Sequence, residues 1–358
     1  MTKKTRRILT LGAAYGSLLG TKLIFAGHDV TMVCLPEEVK LINAEGVRVK
    51  MPVRGRNNAL EIDSRSALGT IRATSPSNVD PKDYDLIALA MQEPQYRSPG
   101  VLELLNLVAI SNVPVVSIMN MPPPPYLKRI PQIAAVDIDA CYTDSAIWED
   151  FDPAIFTMAS PDPQAFRPPD EPANHLQVSL PTNFKVARFE NEMHTAILKQ
   201  LQQDIMQIRF DPGGGEKVEL PVKLKVHDSV FVPLAKWAML CTGNYRCVTS
   251  DGPRSIREAV HLDIDASRTM YDWVTAMCKT FGANDKDLVP FDKYAAAAEI
   301  LVKPSSAARA LFSGALNIER VDKLVQTLAS SKGMQSDVLD KIVSLVDARL
   351  EQNRLEAS

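Results

Sequence analysis

Leu11-Gly12-Ala13-Ala14-Tyr15-Gly16-Ser17-Leu18-Leu19-Gly20 lies between an apolar run at residues 8–11 and a helical pattern over residues 16–26, and a second apolar run follows at residues 29–34. Strand, glycine-rich turn, helix and second strand make the β-helix-β unit that holds a dinucleotide. Glycine serves such a turn by allowing the tight reversal, the close approach of backbone to a pyrophosphate, and the packing of helix on strand. The helix start adds unpaired N–H groups and the positive end of its dipole, both of which attract phosphate. This loop is one residue shorter than G-x-G-x-x-G, with alanine where the middle glycine would stand. Gly12, Ala13, Ala14, Tyr15 and Gly16 are the candidate cofactor-binding residues, with a plain structural turn as the alternative. Gly27 suits the end of the helix because glycine accepts a positive φ. The position that separates NAD from NADP lies about 20 residues beyond the glycines. Cys34-Leu35-Pro36 stands there, with Glu37, Glu38 and Lys40 just beyond, and leaves the choice open.

Further apolar runs without alternation, DLIALAM at 85–91 and VPVVSIM at 113–119, fit strands buried on both faces. The expected fold class is α/β, an N-terminal Rossmann-like, doubly wound sheet followed by an all-helical C-terminal domain. After Asn120 come four consecutive prolines, which neither a helix nor a central strand tolerates. The proline- and aspartate-rich segment at about 145–190 reads as loops and short strands at the sheet edge. A helix over about 192–208 and the breaker Asp211-Pro-Gly-Gly-Gly215 follow. Helical periodicity then dominates 229–243, 254–281, 290–302, 305–313, 317–330 and 335–354. The expected division is 1–210 for the dinucleotide domain, 211–228 for a linker and 229–358 for the helical domain.

The chain has 358 residues, 46% hydrophobic and 23% charged, and a net charge of −3 from 40 basic and 43 acidic residues. Such a balance, without runs of one sign, argues against nucleic acid as a partner. Five cysteines without CxxC spacing fit reduced thiols, and five histidines without an HxxxH or HExxH pattern offer no metal signature. Lys3, Lys4, Arg6 and Arg7 ahead of residues 8–19 imitate a secretory leader. Lys22, the glycines at 12, 16 and 20 and the lack of an A-x-A site speak against one. No apolar stretch is long enough to span a membrane, so the expectation is a cytoplasmic protein.

The stretch GAAYGSLLGTKLIFAGHDVTMV, followed by EEVKLINAEGVRV, resembles the opening of the ketopantoate reductase family. The resemblance extends over most of the chain and is weakest at about 122–210. It implies a Rossmann domain followed by a helical domain, with the active site in the cleft between them. It also implies reduction of a 2-oxo acid to a 2-hydroxy acid with NADPH. The segment His227-Asp228-Ser-Val-Phe-Val-Pro-Leu-Ala-Lys236-Trp237 matches the family's lysine segment, which makes Lys236 the implied proton donor. An ammonium there stabilises the charge that develops on the carbonyl oxygen. Asn244, eight residues on, would share roughly one helix face with Lys236 and bind substrate. Ser306, with Ser305 in reserve, matches a carboxylate-binding serine. Glu319 matches an acid that orients the lysine, and Asn120 an asparagine that places nicotinamide and substrate.

Each of these residues has a bland reading too. Lys236 would be a solvated lysine, Asn120 a turn residue, Ser305-Ser306 an N-cap pair, and Glu319 a surface partner of Lys323. Departures from the family pattern are Met121 for a glycine, Gln92 for a lysine and Leu240 for an asparagine. Gln92 then stands at a cofactor-binding position, and the lost polar groups point to a substrate other than ketopantoate. Two other readings compete. An opine-type dehydrogenase would use His227-Asp228 or His261-Leu262-Asp263 as its acid–base. A non-catalytic dinucleotide-binding protein would account for the shortened loop, Gln92 and Leu240. The apolar helical faces would allow a homodimer.

Overall fold

A computed structural model describes residues 4–213 and 215–357, so Lys3 of the basic N-terminal stretch and Gly214 of the glycine breaker lie outside the described residues. The chain divides into two compact units. The first comprises Met1–Met91, Gln95–Tyr126 and Ile147–Asp228; the second comprises Gln92–Pro94, Leu127–Ala146 and Ser229–Ser358. Residues 92–94 and 127–146, expected in the first domain, therefore belong to the second unit. Two side-chain contacts lie within that unit: Thr143 holds Glu93, and Cys141 Sγ lies 3.4 Å from Thr327 Oγ1.

The first unit opens with β1 (Arg7–Leu11), α1 (Ala14–Phe25), β2 (Asp29–Val33), α2 (Pro36–Glu45), β3 (Arg48–Met51), β4 (Leu60–Asp63), β5 (Ile71–Thr74) and β6 (Leu86–Leu89). It continues with α3 (Val101–Ala109), β7 (Val115–Ile118), α4 (Pro124–Leu127), α5 (Pro131–Ala134), β8 (Phe156–Ser160), β9 (Gln164–Phe166), β10 (His175–Leu180), β11 (Phe184–Ala187), α6 (Glu192–Met206) and β12 (Leu224–His227), α5 lying in a segment of the second unit. Eight strands form one sheet in the order β12-β11-β8-β7-β6-β1-β2-β5, parallel except for the β8–β11 pair. Every residue of β6, β7 and β8 is buried, because helices cover both faces of a parallel sheet. After β1 the chain builds outward through β2 and β5, then returns to the other side of β1 with β6. The carboxyl ends of β1 and β6 thus flank the topological switch point, where open α/β sheets bind ligands.

Two expectations need correction here. The proline-rich segment lies at a sheet edge only in part: β8 is interior to the large sheet, while β9 and β10 join β3 and β4 in a second sheet, β4-β3-β10-β9, in which β9 is an edge strand. The prolines flank FTMAS rather than interrupt it, which leaves its ladder intact. The proline run also does enter a helix. Pro124 and Pro125 occupy the first turn of α4, the one place where the missing N–H groups have no intrahelical partner to lose.

The second unit contains α7 (Lys236–Met239), the small hairpin β13 (Val248–Thr249) and β14 (Gly252–Pro253), α8 (Ile256–His261), α9 (Ile264–Thr280), α10 (Phe291–Ala298), α11 (Ser306–Phe312), α12 (Val321–Ser331) and α13 (Asp337–Ala357). The hairpin is a small exception to the expected all-helical texture. Buried faces follow the helical period: Met270, Tyr271, Val274, Met277 and Cys278 on α9, and Leu339, Ile342, Val343, Val346 and Leu350 on α13. Residues 229–243 are not the regular helix that their periodicity suggests. A 3₁₀ turn (Pro233–Ala235), four α-helical residues, a π turn (Leu240–Asn244) and another 3₁₀ turn (Tyr245–Cys247) succeed one another. Beside the π turn, the Tyr294 hydroxyl of α10 donates to Met239 O at 3.1 Å, a side-chain insertion of the kind that accompanies irregular helix. Gly243 makes room, since a Cβ there would lie 2.0 Å from Tyr294 Oη. Among the described residues, no helix is long and apolar enough to cross a membrane.

Candidate active site

Gly12 is required by its surroundings. Its φ is +104°, and an added Cβ would lie 2.4 Å from Met91 Cγ and 2.8 Å from Ala90 O. The turn is held by Gly12 N–H donating to Val33 O at 2.9 Å and Ala90 N–H donating to Leu11 O at 2.8 Å, so the ends of β1, β2 and β6 meet at this glycine. Ala13 is the N-cap residue of α1 and no side chain caps the helix, which leaves its first N–H groups for an anion. Ala14 is exposed at that start. Gly16 does not fill the close-packing role expected of it: a Cβ there would make ordinary contact with Thr10 at 3.6 Å. Gly20 is tighter, at 3.2 Å from Ile71 Cδ1. The Tyr15 hydroxyl donates to Pro163 O at 3.2 Å and its ring meets Phe184 edge-on, so it is anchored by its own unit. Asn120 follows β7 and is half-buried, two residues beyond that strand's carboxyl end.

At the end of β2, Leu35 is 60% exposed and opens α2. Its N–H donates to Glu38 Oε2 at 3.0 Å, and Glu38 is in turn ion-paired with Arg167. Arg167 arrives from just beyond β9, far away in sequence, so the cation at this tip was invisible in the residues following β2. Cys34 beside it has its thiol pushed up to about 12, chiefly by burial and secondarily by Glu38.

In the second unit, Lys236 is half-buried at the start of α7 and Asn244 half-buried at the end of the π turn. Eight α-helical residues would leave them about 80° apart around the axis, and the π turn takes more residues per revolution, which narrows that offset. Asn244 O accepts the Ser305 hydroxyl at 2.7 Å, while Ser305 Oγ accepts Ala308 N–H at 3.1 Å and caps α11. Ser305 is thus occupied as an N-cap, and Ser306 is the exposed hydroxyl beside it. Glu319 is buried, 6% exposed, which excludes the solvated pairing with Lys323. Tyr245 sits between the two segments. Its buried hydroxyl donates to Glu319 O and accepts Val321 N–H at 2.9 Å. Arg320, bonded to Asp322 and Asp347, fixes the next residue.

Gln92 is exposed, and the buried residue at this point is its neighbour Glu93, at 1% exposure. Glu93 accepts Thr143 N–H at 3.2 Å and Thr143 Oγ1–H at 2.9 Å. Burial pushes its carboxyl up to about 7, with the Glu319 carboxylate contributing in the same direction. An acid two residues beyond the apolar run at 85–91 was its only trace in the sequence. Of the histidine pairs, His261 Nε2 lies 3.0 Å from Ala295 O and Nδ1 3.4 Å from Glu299, while Asp263 caps α9 by accepting Ala266 N–H at 2.9 Å. That His–Asp pair is not formed. His227 ends β12, its carbonyl accepting Arg188 N–H.

Among solved structures, the fold is similar to D-mandelate dehydrogenase in its ternary complex with NADH and anilino(oxo)acetate, with 16% identity, a TM-score of 0.63 and coverage of 97% of this chain and 99% of that one. A PanE/ApbA family ketopantoate reductase from Ralstonia eutropha JMP134 gives 14% identity and a TM-score of 0.63, with 97% and 99% covered. A dimeric ketopantoate reductase from Staphylococcus aureus gives 10% and 0.58, again with 97% and 99% covered. No family model matches the chain, and no curated protein matches it by sequence. The chain has the fold shared by ketopantoate reductases and D-mandelate dehydrogenase, over nearly its whole length. The resemblance read from residues 12–33 therefore holds at the level of the fold.

Proposed function

We propose that this chain is an NAD(P)-dependent oxidoreductase that reduces a 2-oxo acid, or a related carbonyl, to the hydroxy compound. One observation carries the reading most strongly. The segments bearing Lys236 and Asn244, Ser306, and Glu319 are tied together by the buried hydroxyls of Ser305 and Tyr245. A dinucleotide fits the first unit because the Gly12 cradle is one that a Cβ would fill, beside an uncapped helix start. Gly12, Ala13, Ala14 and Gly16 would hold its pyrophosphate through backbone N–H groups, with Tyr15 as a packed wall and Asn120 and Gln92 toward the nicotinamide. The bound nicotinamide supplies hydride to the carbonyl carbon.

Lys236 donates the proton to the carbonyl oxygen, where its charge offsets the negative charge that develops. Glu319 orients Lys236, and Asn244 and Ser306 hold the substrate. Exchange of the family's lysine and asparagine for Gln92 and Leu240 removes a cation and an amide, so the favoured substrate differs from ketopantoate. NADP is the first cofactor to test, with NAD beside it; D-mandelate dehydrogenase was solved with NADH. A homodimer, the state given for the Staphylococcus aureus enzyme, belongs to the same reading. The test is titration of the protein with NADPH and with NADH by ligand fluorescence, followed by a screen of 2-oxo acids for oxidation of the cofactor that binds. Micromolar binding and turnover support the reading, and absence of binding by both cofactors ends it.

A further inference from the structure

The cation at the tip of β2 comes from the stretch where the family resemblance is weakest. Residues 162–167, between β8 and β10, are pinned at three points of the first unit. Lys185 of β11 pairs with Asp162 at 2.8 Å, the Tyr15 hydroxyl donates to Pro163 O at 3.2 Å, and Arg167 pairs with Glu38. Tyr15 belongs to the first turn of α1 and Glu38 to the first turn of α2, so this segment runs from one helix start to the other. In a dinucleotide-binding unit the pyrophosphate lies at the first of these and the adenosine ribose at the second, beyond the end of β2. An acid with oxygens to spare grips the ribose hydroxyls of NAD there, and an arginine accommodates the 2′-phosphate of NADP. Cys34 and Leu35 supply neither group. Both oxygens of Glu38 are committed: Oε2 accepts Leu35 N–H at 3.0 Å and Oε1 holds Arg167 Nη1. The Glu38 side chain is 8% exposed and that of Arg167 32%, so the cation is the more accessible member of the pair. Among the described residues Arg167 is engaged only through Nη1, which leaves Nε and Nη2 as donors. Glu37 and Lys40 are both exposed on α2 and carry opposite charges.

We propose that Arg167, held in place by Glu38, is the specificity-determining residue for the cofactor: it binds the 2′-phosphate, and the chain takes NADPH in preference to NADH. The proposal rests on the reading of the first unit as a dinucleotide domain and names which dinucleotide it selects. A guanidinium keeps its donors in one rigid plane, which suits a phosphate bound through paired N–H groups. Glu38 fixes that plane one carboxylate away from the Leu35 amide, so little side-chain freedom is left to lose on binding. NADH offers hydroxyls where NADPH offers a dianion, and Glu38 has no uncommitted oxygen to accept from them.

The experiment measures Kd by calorimetry for NADPH, NADH, adenosine 2′,5′-bisphosphate and adenosine 5′-monophosphate, on the wild-type protein and on Arg167→Met and Glu38→Gln. The wild-type protein should bind NADPH at least about tenfold more tightly than NADH, and the bisphosphate more tightly than the monophosphate. Arg167→Met should weaken NADPH by about ten- to a hundredfold and leave NADH within about twofold, the scale of a lost charge-assisted hydrogen bond. Glu38→Gln keeps an oxygen for Leu35 N–H and leaves the guanidinium in place of the pair, so the preference for NADPH should survive it. Equal wild-type affinity for the two dinucleotides would overturn the proposal. So would an Arg167→Met protein that loses NADPH and NADH alike, the mark of a merely structural ion pair. The two adenosine nucleotides test the wild-type protein directly, so the proposal stands or falls even where Arg167→Met does not fold. Equal binding of both dinucleotides with turnover of a 2-oxo acid would refute this inference and keep the proposed function. A preference for NADPH that Arg167→Met abolishes, without turnover of any 2-oxo acid, would do the reverse, and binding of neither dinucleotide would overturn both.

Discussion

Replacement of Gly12 by alanine tests the cradle, and its cost follows from the backbone angle and two close contacts. At φ +104° an L-residue incurs strain on the order of 1–2 kcal/mol. The added Cβ would also meet Met91 Cγ at 2.4 Å and Ala90 O at 2.8 Å. The methionine can swing aside, but Ala90 is fixed by its own sheet hydrogen bond to Leu11 O, so the β1 turn must yield. Overpacking of this kind costs about 1–3 kcal/mol. The sum, about 2–5 kcal/mol, corresponds to a melting point lower by about 4–20 °C at ~2–4 °C per kcal/mol. Gly27→Ala is the internal control: its φ is +82°, yet no atom lies within 4 Å of an added Cβ, so it carries the strain without the clash. Thermal melts of both variants, with NADH and NADPH titrations by fluorescence, give the assay. Gly12→Ala should melt well below Gly27→Ala and lose at least about tenfold in dinucleotide affinity through displacement of the α1 start. Equal melting points and unchanged affinity would refute the claim that this glycine shapes a phosphate cradle.

Tyr245→Phe keeps the buried ring but removes the hydroxyl's hydrogen bonds to Glu319 O and Val321 N–H, so it should cost about 2–4 kcal/mol of stability and lower kcat by about ten- to a hundredfold with cofactor affinity unchanged. Gly243→Ala forces a Cβ to within 2.0 Å of Tyr294 Oη, and it should lower kcat and melting point together, whereas Tyr294→Phe should restore a more regular helix at Met239, visible as altered amide protection. Glu93→Gln should change the pH dependence of stability in a stated direction. A carboxyl raised from 4.5 to about 7 in the folded state binds more protons folded than unfolded between those values, so its penalty grows as pH rises through that window and is constant above it. The variant should therefore gain stability over wild type at pH 8, by at most about 3.5 kcal/mol at ~1.4 kcal/mol per pH unit, and the gain should vanish near pH 4.5. Melting curves across that range check it.

The elements legible in the sequence are those whose period or backbone requirement leaves one solution. Short runs without alternation such as LIAL and VVSI fit strands covered on both faces, and Gly12 and Gly27 sit where the backbone turns to positive φ. The resemblance put Lys236 and Asn244 on one segment and Glu319 on another, and the Tyr245 hydroxyl ties the two segments together. What stayed hidden depends on contacts between distant residues. Beside the π turn after Lys236, Tyr294 reaches Met239, and no local pattern records that. The roles of Ser305 and Ser306 separate only once Asn244 O is seen to occupy the former. Arg167 reaches Glu38 across 129 residues, and Glu93 is buried by Thr143 rather than by its own neighbours. Flanking prolines made an interior strand, β8, look like an edge segment.

The central claim is that Lys236 gives the proton in a dinucleotide-dependent reduction. Its most direct test is Lys236→Ala, with kcat for 2-oxo acid reduction and the cofactor Kd measured on the same preparation. The account predicts that kcat falls by about a hundredfold or more, the scale of a lost general acid, while the Kd of the dinucleotide held by Gly12 and the α1 start stays unchanged. Undiminished turnover in Lys236→Ala would contradict it.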